Sequence, residues 1–440
     1  MSSETKQWAI VGGGILGMTL ALRFAQQGKK VTLFEGADEI GGLASVWKLG
    51  DLTWDRHYHV ILMSDLILRG VLEELGLSNE LEWVETKTGF YTDGRMFSMS
   101  NTLEFLSFPP LRMIDKFRLG GTIFYASKLN DWQALEKVHV ADWLRKLSGS
   151  RTFEKIWLPL LRAKLGESYR QTSASFIWAT IQRMYAARRS GLKKEMFGYV
   201  RGGYARIFER FLEVLEEKGV TIKLGHRASK VKKENGSFAV SFENGHEEQF
   251  ERVVLTTAAP IATKICEGLT SEETSKLNGI EYLGIVCPSV LLKKPLTPYY
   301  VTNITDDWVP FTAVIEMSAL VDRFAEFGGN SLIYLPKYVT ADDPTARWSD
   351  EKVKDVFLDA LMRMHPHITP KDILGFEISR VRNVFALPTL EYSTRLPSMH
   401  MAQKGLHIVN SAHILNSTLN VNETMQLAER AAKDILIQAF

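Results

Sequence analysis

Residues 8–35 read WAIVGGGILGMTLALRFAQQGKKVTLFE, and the class of fold can be inferred from this segment. The short apolar run from Trp8 to Val11 is typical of a buried strand, and the glycines after it are typical of a turn. The pattern then predicts a helix from Ile15 to Gln27, ended by Gly28, and a second strand from Lys30 to Glu35. Strand, turn, helix and strand in this order predict a doubly wound, Rossmann-like α/β domain.

The turn fits the motif G-x-G-x-x-G, which covers Gly12, Gly13, Gly14, Ile15, Leu16 and Gly17. Gly12 permits the tight turn, Gly14 lets a pyrophosphate approach the backbone, and Gly17 allows the helix to pack closely on the strand. The helix N-terminus offers unpaired N–H groups to the phosphates. Glu35 ends the second strand, where a carboxylate accepts hydrogen bonds from adenosine ribose hydroxyls and repels a 2′-phosphate. Together these elements favour a dinucleotide site over a glycine-rich turn without a ligand.

The rest of the chain mixes helical and strand-like patterns. An amphipathic helix is expected from Tyr204 to Lys218, after Gly202 and Gly203, and residues 101–199 are expected to be mostly helical. Further helices are predicted at Ser64 to Leu75, Asp350 to Met364 and Thr424 to Gln438. Strands are predicted at Val220 to Leu224, Ala228 to Lys233, Phe238 to Phe242, Arg252 to Thr256, Val286 to Leu292, Thr312 to Glu316, Ser331 to Leu335 and Leu406 to Asn410.

The bulk composition argues against several classes of protein. The chain has 440 residues, of which 45% are hydrophobic and 24% charged, so it can bury the cores of two or more domains. A formal net charge of +2 gives no reason to expect nucleic acid as a partner. Cys266 and Cys287 are too few for a disulfide framework or a zinc site, which favours a reducing, cytoplasmic setting. The apolar segment Trp8 to Leu22 is interrupted by glycines, and neither it nor any other stretch is long enough to span a bilayer.

Several landmarks follow the first motif in a fixed order. Glu35 is followed by Gly41-Gly42-Leu43-Ala44, and later come Gly202-Gly203, residues 253–260 (VVLTTAAP), and a C-terminal strand, loop and helix. In this order they resemble the flavin amine oxidoreductase superfamily, which includes protoporphyrinogen oxidases, carotenoid desaturases and monoamine oxidases. Residues 55–59 (DRHYH), 300–303 (YVTN) and 419–423 (LNVNE) also resemble a less characterised subgroup of bacterial oxidoreductases.

The resemblance implies FAD as the cofactor and a discontinuous FAD-binding domain made of residues 1–62, 200–265 and 376–440. Residues 63–199 and 266–375 would then form an α+β substrate domain. It further implies that the backbone of Val231 contacts adenine and that the C-terminal loop and helix lie against the flavin. The residues expected to bind FAD are therefore Gly12, Gly14, Ile15, Leu16, Gly17, Glu35, Gly41, Gly42, Leu43, Ala44, Val231, Asn410, Ser411, Val421 and Asn422.

Three positions depart from the family's pattern. Asn410-Ser411 stands where the family commonly has Gly-Asp, so a carboxylate near the ribityl chain or pyrophosphate is missing, and the Asn410 amide is expected to replace it. Cys287 stands where amine oxidases place a lysine near flavin N5, which argues against amine oxidation of that kind. Leu43 stands where an arginine often follows the paired glycines, which removes a phosphate contact.

His57 and His59 are the main candidates for catalysis, together with Cys287. The two histidines alternate on a stretch that resembles a strand, so both could face one side, as flavin neighbours, as metal ligands or as a structural hydrogen-bonded pair. Two ligands do not make a metal site, and no third His or Cys is suitably placed, so no metal is expected. Asp55 is expected either to act beside them or only to brace the local turn.

Two segments raise the question of a membrane surface or a charged substrate. Between Arg162 and Arg210 there are eleven Lys or Arg against three acidic residues, which fits a phosphorylated substrate, anionic lipid or simply a solvated helical face. Residues 103–132 are rich in aromatics, as expected for an interfacial helix, a substrate tunnel or, most simply, a helical core. A peripheral membrane contact is therefore one interpretation of the pair.

These observations predict an FAD-dependent oxidoreductase that transfers hydride between flavin N5 and an apolar or carrier-linked small molecule. A redox-neutral enzyme that resembles UDP-galactopyranose mutase and acts on a sugar nucleotide is the alternative. A flavin-binding protein without turnover is a third interpretation. The sequence does not identify the substrate, the electron acceptor or the oligomeric state.

Overall fold

A computed structural model describes residues 7–188, 196–415 and 418–438. Its strands are β1 (Gln7–Val11), β2 (Lys30–Phe34), β3 (Val46–Leu49), β4 (Leu52–Asp55), β5 (Ile61–Leu62), β6 (Leu81–Glu85), β7 (Thr88–Thr92), β8 (Arg95–Ser98), β9 (Met196–Val200), β10 (Thr221–Lys223), β11 (Ala228–Glu234), β12 (Ser237–Phe242), β13 (Glu247–Phe250), β14 (Arg252–Leu255), β15 (Tyr282–Leu292), β16 (Val301–Ile304), β17 (Ala313–Glu316), β18 (Ser331–Tyr334), β19 (Lys337–Val339), β20 (Ile373–Ala386) and β21 (Leu406–Ile408). Its helices are α1 (Ile15–Gln26), α2 (Leu66–Glu74), α3 (Thr102–Ser107), α4 (Met113–Lys128), α5 (Trp132–Leu135), α6 (Val140–Ser148), α7 (Ser150–Thr152), α8 (Leu158–Leu165), α9 (Ala174–Arg188), α10 (Gly203–Glu217), α11 (Ala259–Ile265), α12 (Ser271–Asn278), α13 (Arg323–Phe327), α14 (Asp350–Met364), α15 (Tyr392–Arg395) and α16 (Val421–Ile437).

Five parallel strands form the first sheet, in the order β10-β2-β1-β14-β21. Its strands come from three distant parts of the chain, and each part falls within a segment that the resemblance assigns to the FAD-binding domain. Alternate side chains of β1 enter different cores, as the period of two of a strand requires: Ile10 packs among helices, and Ala9 packs towards the antiparallel sheet β11-β12-β13. The predicted doubly wound α/β fold is confirmed.

One arginine joins three of the helices, α1, α2 and α16, that share a hydrophobic core with this sheet. The Arg23 guanidinium of α1 contacts Glu74, the last residue of α2, and Glu429 of α16, each at 2.6 Å. Beneath this ion-pair network, buried residues of α1, α2, α10 and α16 share one hydrophobic cluster. Packing of α1 therefore requires residues about four hundred positions further along the chain.

The second large sheet has eight strands in the order β19-β15-β18-β17-β16-β7-β8, with β20 paired to β15. Its pairs are antiparallel, except for β16 with β7. The cores beside it include the helices from α4 to α9 and the helix α14. The division into two domains stays a prediction, and both β9 and β20 cross its boundaries.

Most predicted elements are present, and the differences have local causes. α16 begins at Val421, three residues before the predicted Thr424, because the Asn420 side chain accepts the N–H of Glu423 and caps the helix there. His57 and His59 lie between β4 and β5, outside any strand, so the predicted alternation on a strand is wrong. Within the described part of the chain, no helix is both long and apolar enough to cross a membrane.

Candidate functional site

The glycine turn after β1 has the geometry of a nucleotide loop. Gly12 has a φ of 119°, a conformation that L side chains rarely adopt, and its N–H donates to Phe34 O at 2.8 Å. A Cβ on Gly17 would lie 1.9 Å from the Gly12 carbonyl oxygen, so only glycine lets α1 approach the strand this closely. Both positions behave as the motif predicts.

Gly14 differs from its neighbours because nothing in the protein requires a glycine there. Its φ of −76° suits any residue, and a Cβ on it would come no closer than 3.8 Å to another atom, at Gly42. The space above Gly14 is therefore left open by the protein itself. A close-approaching ligand at the N-terminus of α1 explains a glycine at this position.

Glu35 lies beside this loop and holds it in shape. One carboxylate oxygen accepts the Gly13 N–H at 2.7 Å, and the other accepts the Ala37 N–H at 2.9 Å. Each carboxylate oxygen has a further acceptor position. Glu35 can thus brace the glycine turn and still accept a ribose hydroxyl.

The paired glycines form a second wall of the same loop. The Gly41 N–H donates to Gly13 O at 2.9 Å, and Gly41 forms a parallel bridge with Gly14. The chain then turns through Leu43 and the buried Ala44. The sequence motifs around residues 12–17 and 41–44 are thus brought into direct contact.

Two histidines bind the carbonyl of this turn. His57 Nδ1 lies 2.9 Å and His59 Nε2 lies 3.4 Å from Leu43 O, so each ring donates from the nitrogen that faces the oxygen. Burial is the main cause that lowers the pKa of both residues to about 4, so both are neutral near pH 7. Nε2 of His57 is buried and has no protein partner, so it remains an open hydrogen-bond acceptor.

The C-terminal loop approaches the end of β14. The Asn410 amide donates to Thr257 O at 3.1 Å and accepts the Ala412 N–H at 3.1 Å, which leaves one amide hydrogen for a ligand. Ser411 begins a short 3-10 turn. Val421 and Asn422 open α16, and the Asn422 side chain accepts the Leu68 N–H at 3.1 Å.

The residues around these loops fit a bound FAD. Several unpaired buried polar atoms lie in the segments that the family pattern assigns to the cofactor, and those in or beside the loops described above are Ser45 Oγ, His57 Nε2, Thr257 Oγ1 and His413 Nε2. Buried polar groups normally have partners, so these atoms point to a polar ligand. No three His, Cys, Asp or Glu side chains among the described residues are grouped closely enough to hold a metal ion.

Val231 does not present its backbone as the resemblance implies. It bridges Cys266 in parallel, its carbonyl accepts the Glu267 N–H at 2.9 Å, and its side chain is buried. The backbone of Val231 is therefore paired with the segment after α11. The backbone of Ala228 is a better candidate for a ligand contact. Ala228 pairs with Phe242 at a non-hydrogen-bonded position, so its N–H and C=O point away from β12.

Cys287 lies on β15 and is fully buried, which raises the pKa of its thiol. A thiol in this state is neither a nucleophile nor a base.

The arginine lost at Leu43 has a counterpart that the sequence did not indicate. Arg56 donates its backbone N–H to Ser45 O, and its guanidinium lies 5.3 Å from the Trp47 ring centre. A positive charge is thus present beside Trp47 and near enough to His57 to help lower the pKa of that residue.

Asp55 joins the histidine segment to α10. Its carboxylate accepts the Tyr204 N–H at 2.8 Å, and its carbonyl accepts the Tyr334 hydroxyl at 2.5 Å. A Cβ on Gly203 would lie 2.9 Å from the Asp55 carboxylate, which explains why α10 begins with a glycine. Burial raises the pKa of Asp55 to about 7, against the lowering effect of the Tyr204 N–H. Of the two expected roles, bracing is the one these contacts describe.

A chain of polar groups runs from this segment into the second sheet. The Tyr58 and Tyr338 hydroxyls are 3.2 Å apart, and Lys164 Nζ donates to the Tyr338 hydroxyl at 2.6 Å. Burial and the Tyr338 phenol raise the pKa of Tyr58. Sequence reasoning missed Lys164 and Tyr338 because they are 174 residues apart and belong to no motif.

The basic run between Arg162 and Arg210 is not an open cationic surface where the structure describes it. Acidic residues from several elements pair with its arginines: Arg162 and Arg170 with Glu167, Arg183 with Asp65, Arg201 with Glu82, Arg206 with Glu80 and Glu209, and Arg210 with Glu213 and Glu217. Arg189, Lys193 and Lys194, and the side chain of Arg188, lie outside the described residues.

A cavity of about 570 Å³ opens beside the start of α16. Its wall includes Asn422 together with two arginines, Arg183 of α9 and Arg430 of α16. Arg183 faces the Asp65 carboxylate at 3.4 Å, and its Nε is buried without a partner. The cavity therefore combines guanidinium and amide donors with apolar side chains.

The parallel sheet, the glycine turn and Glu35 define a dinucleotide-binding α/β protein. The chain belongs to the family of flavin-containing amine oxidoreductases, whose sequence profile matches residues 17–436. This family assigns a flavin, and the adenosine-diphosphate features of the loop make it FAD. The roles of Asn410, Ser411 and the other expected contact residues apart from Val231 remain predictions.

Individual relatives show the same relationship. The zeta-carotene desaturase of Synechocystis sp. is 23% identical over 249 residues, which are 51% of this chain and 50% of the relative, so the match spans about half of its length. A structure from Exiguobacterium sp. 255-15, provisionally assigned as a protoporphyrinogen oxidase, has a TM-score of 0.76 at 18% identity and covers 99% of both chains. Reduced UDP-galactopyranose mutase has a TM-score of 0.75 at 15% identity, over 98% of this chain and 96% of that one.

Gly14→Asp should abolish FAD binding and leave a folded apoprotein, because the new carboxylate occupies the open space and repels the pyrophosphate. Gly14→Ala should weaken FAD binding at least tenfold for the steric part alone. Flavin released by heat and the far-ultraviolet circular dichroism of each variant measure the two effects. Gly17→Ala is the contrasting control, since its clash with Gly12 O should destabilise the fold itself. Flavin retained in Gly14→Asp would mean that the motif is only a turn.

The stability of the protein should depend on the charge of Asp55. Its folded-state pKa of about 7 lies above the ordinary value of 3.8, so the folded form binds the proton more tightly than the unfolded chain. Stability from this group is complete below pH 4 and is lost as the pH rises to 7. Asp55→Asn should therefore gain stability relative to wild type between pH 5 and pH 8, on the order of 2 kcal/mol. Urea unfolding with excess FAD at both pH values measures the difference, with Asp51→Asn as the exposed control. An equal difference at both pH values would contradict the assignment.

Proposed function

We propose that this chain is a dehydrogenase of the desaturase type that transfers hydride between flavin N5 and an apolar or carrier-linked substrate. The observation that most directly supports FAD as the cofactor is the open space over Gly14 beside Glu35. The family and its desaturase relatives support the reaction class. FAD, when bound, supplies the acceptor or donor of the hydride.

The protein's own residues have distinct parts in this proposal. The N-terminus of α1, with Gly14, holds the pyrophosphate, and Glu35 holds the ribose. Ala228 replaces Val231 as the backbone contact of adenine, because its N–H and C=O are the ones left open. Asn410, Ser411, Val421 and Asn422 face the ribityl and flavin end, and His57 offers Nε2 as a neutral acceptor.

The proton that accompanies hydride transfer needs a path of its own. When a substrate C–H bond breaks and its electron pair leaves with hydrogen as hydride, a second hydrogen leaves as a proton. The raised pKa keeps Tyr58 neutral, so its oxygen can accept that proton only while its own proton passes to the Tyr338 hydroxyl. Tyr338 is partly exposed beside Lys164 and can release a proton to water. Tyr58 is favoured over His57 and Cys287 because its hydroxyl is hydrogen-bonded to a second hydroxyl, that of Tyr338, to which a proton can be passed.

A redox-neutral reaction on a sugar nucleotide is the second candidate. Two arginines, Arg183 and Arg430, line the cavity beside α16, and paired guanidiniums suit a diphosphate. The fold shared with UDP-galactopyranose mutase is compatible with this reaction. The cytoplasmic setting stays a prediction from the cysteines, both of which are free and buried.

The redox state of active enzyme should separate the two candidates. An apolar alkene precursor should bleach the oxidised flavin absorbance under anaerobic conditions, and an added electron acceptor should restore it. A redox-neutral enzyme should instead need prior reduction and consume no net electrons. Stopped-flow spectra with carotenoid precursors, porphyrinogens and UDP-galactose, for oxidised and reduced protein, measure this. Turnover found only with reduced enzyme and a nucleotide sugar would overturn the dehydrogenase, and flavin binding without turnover under either condition would leave a binding protein.

Tyr338→Phe should lower turnover about a hundredfold without loss of FAD, because it breaks the chain between Tyr58 and Lys164. Lys164→Met should alter the dependence of kcat on pH, because it removes the ionisable group at the end of the chain. Tyr299→Phe, which removes a hydroxyl outside the chain, is the matched control. Initial rates over pH 6 to 10 and the solvent isotope effect on kcat are the measurements. An unchanged pH profile in both variants would reject the relay.

A further inference from the structure

The outer face of α3 and α4 is apolar, which is the reverse of an ordinary surface helix. Phe117 and Phe124 are 68% and 58% exposed, and Leu103 of α3 is 79% exposed. We call the whole set the apolar helix face: Leu103, Leu106, Met113, Ile114, Phe117, Phe124 and Tyr125.

The apolar helix face follows the helical period and is not needed for packing. Along α4 its residues lie at positions 113, 114, 117, 124 and 125, in groups one or two helical turns apart, and a Cβ built on Gly121 would have no neighbour within 4 Å. The opposite side of α4 provides the core contacts through Leu119 and Ala126. The expectation that residues 103–132 form a plain helical core is therefore correct for only one side of the helix.

The charges on the same segment are sorted by sign. Arg112, Arg118 and Lys128 are exposed beside the apolar helix face. Its two acidic residues are turned inward. Glu104 accepts the Ser98 hydroxyl and the Ser100 N–H, and the buried Asp115 faces Arg151 at 3.3 Å. The fully exposed charged side chains of α3 and α4, together with Arg112 that caps α4, are thus all cationic.

We infer that the apolar helix face docks on an anionic lipid bilayer. Aromatic and aliphatic side chains flanked by cations are the combination that an anionic membrane interface binds. Self-association fits less well, because it would bring the three cations of one copy against those of another. The contact is peripheral, and it does not depend on the identity of the reaction in the flavin site.

The test is co-sedimentation of the FAD-loaded protein with phosphatidylcholine vesicles, with and without phosphatidylserine, at low salt and at 0.5 M salt. Wild type should bind the anionic vesicles at least tenfold more tightly than the neutral ones, and high salt should weaken that binding. Phe117→Ser with Phe124→Ser should reduce it at least tenfold, and Arg112→Gln with Arg118→Gln should remove the preference for phosphatidylserine.

Phe324→Ser with Leu374→Ser is the matched control, since both residues are exposed elsewhere on the protein. This variant should bind vesicles like wild type, and FAD content should be normal in every variant. Absence of binding at low salt, or binding indifferent to the Phe117 and Phe124 substitutions, would overturn the proposal. A concentration-dependent dimer that these substitutions abolish would also overturn it, in favour of a second copy as the occupant.

Discussion

The contact between Gly17 and the carbonyl of Gly12 is the constraint on which the site depends. A Cβ there would lie 1.9 Å from the oxygen, so the absence of a side chain sets how closely α1 approaches β1. This approach places the helix N-terminus directly above the strand end. Gly41 can then bond Gly13 O, and Glu35 can bond the Gly13 N–H. The absence of a side chain at Gly17 thus allows the glycine turn, Glu35 and the paired glycines to contact one another.

The segment from Asp55 to His59 connects this loop with the rest of the molecule. The histidines bind the Leu43 carbonyl, Asp55 caps α10, and Tyr58 reaches Tyr338 of the second sheet. Successive side chains of the segment therefore contact different elements. Five consecutive residues thus join the paired-glycine turn, α10 and the second sheet.

The sequence was most informative where a residue type is dictated by local backbone geometry. Gly12 and Gly17 could be assigned because only glycine fits those positions, and α14 was predicted from its spacing with the observed bounds. Val231 and His57 were misplaced because their surroundings depend on strand pairing and on a loop that no local pattern encodes. Lys164 and Tyr338 meet only through the fold. The sign of exposed charge was also hidden, since Glu104 and Asp115 appear in the sequence as acids but point inward.

The discontinuous sheet has a consequence for how the protein is made. β1 and α1 leave the ribosome several hundred residues before the helix α16, which covers α1, and the strand β21, which completes the sheet. During translation the hydrophobic side of α1 has no final partner, and contacts of such long sequence separation form slowly. The apolar side of α1 therefore stays uncovered until α16 is made, and the sheet beneath the cofactor loop is complete only when β21 is added.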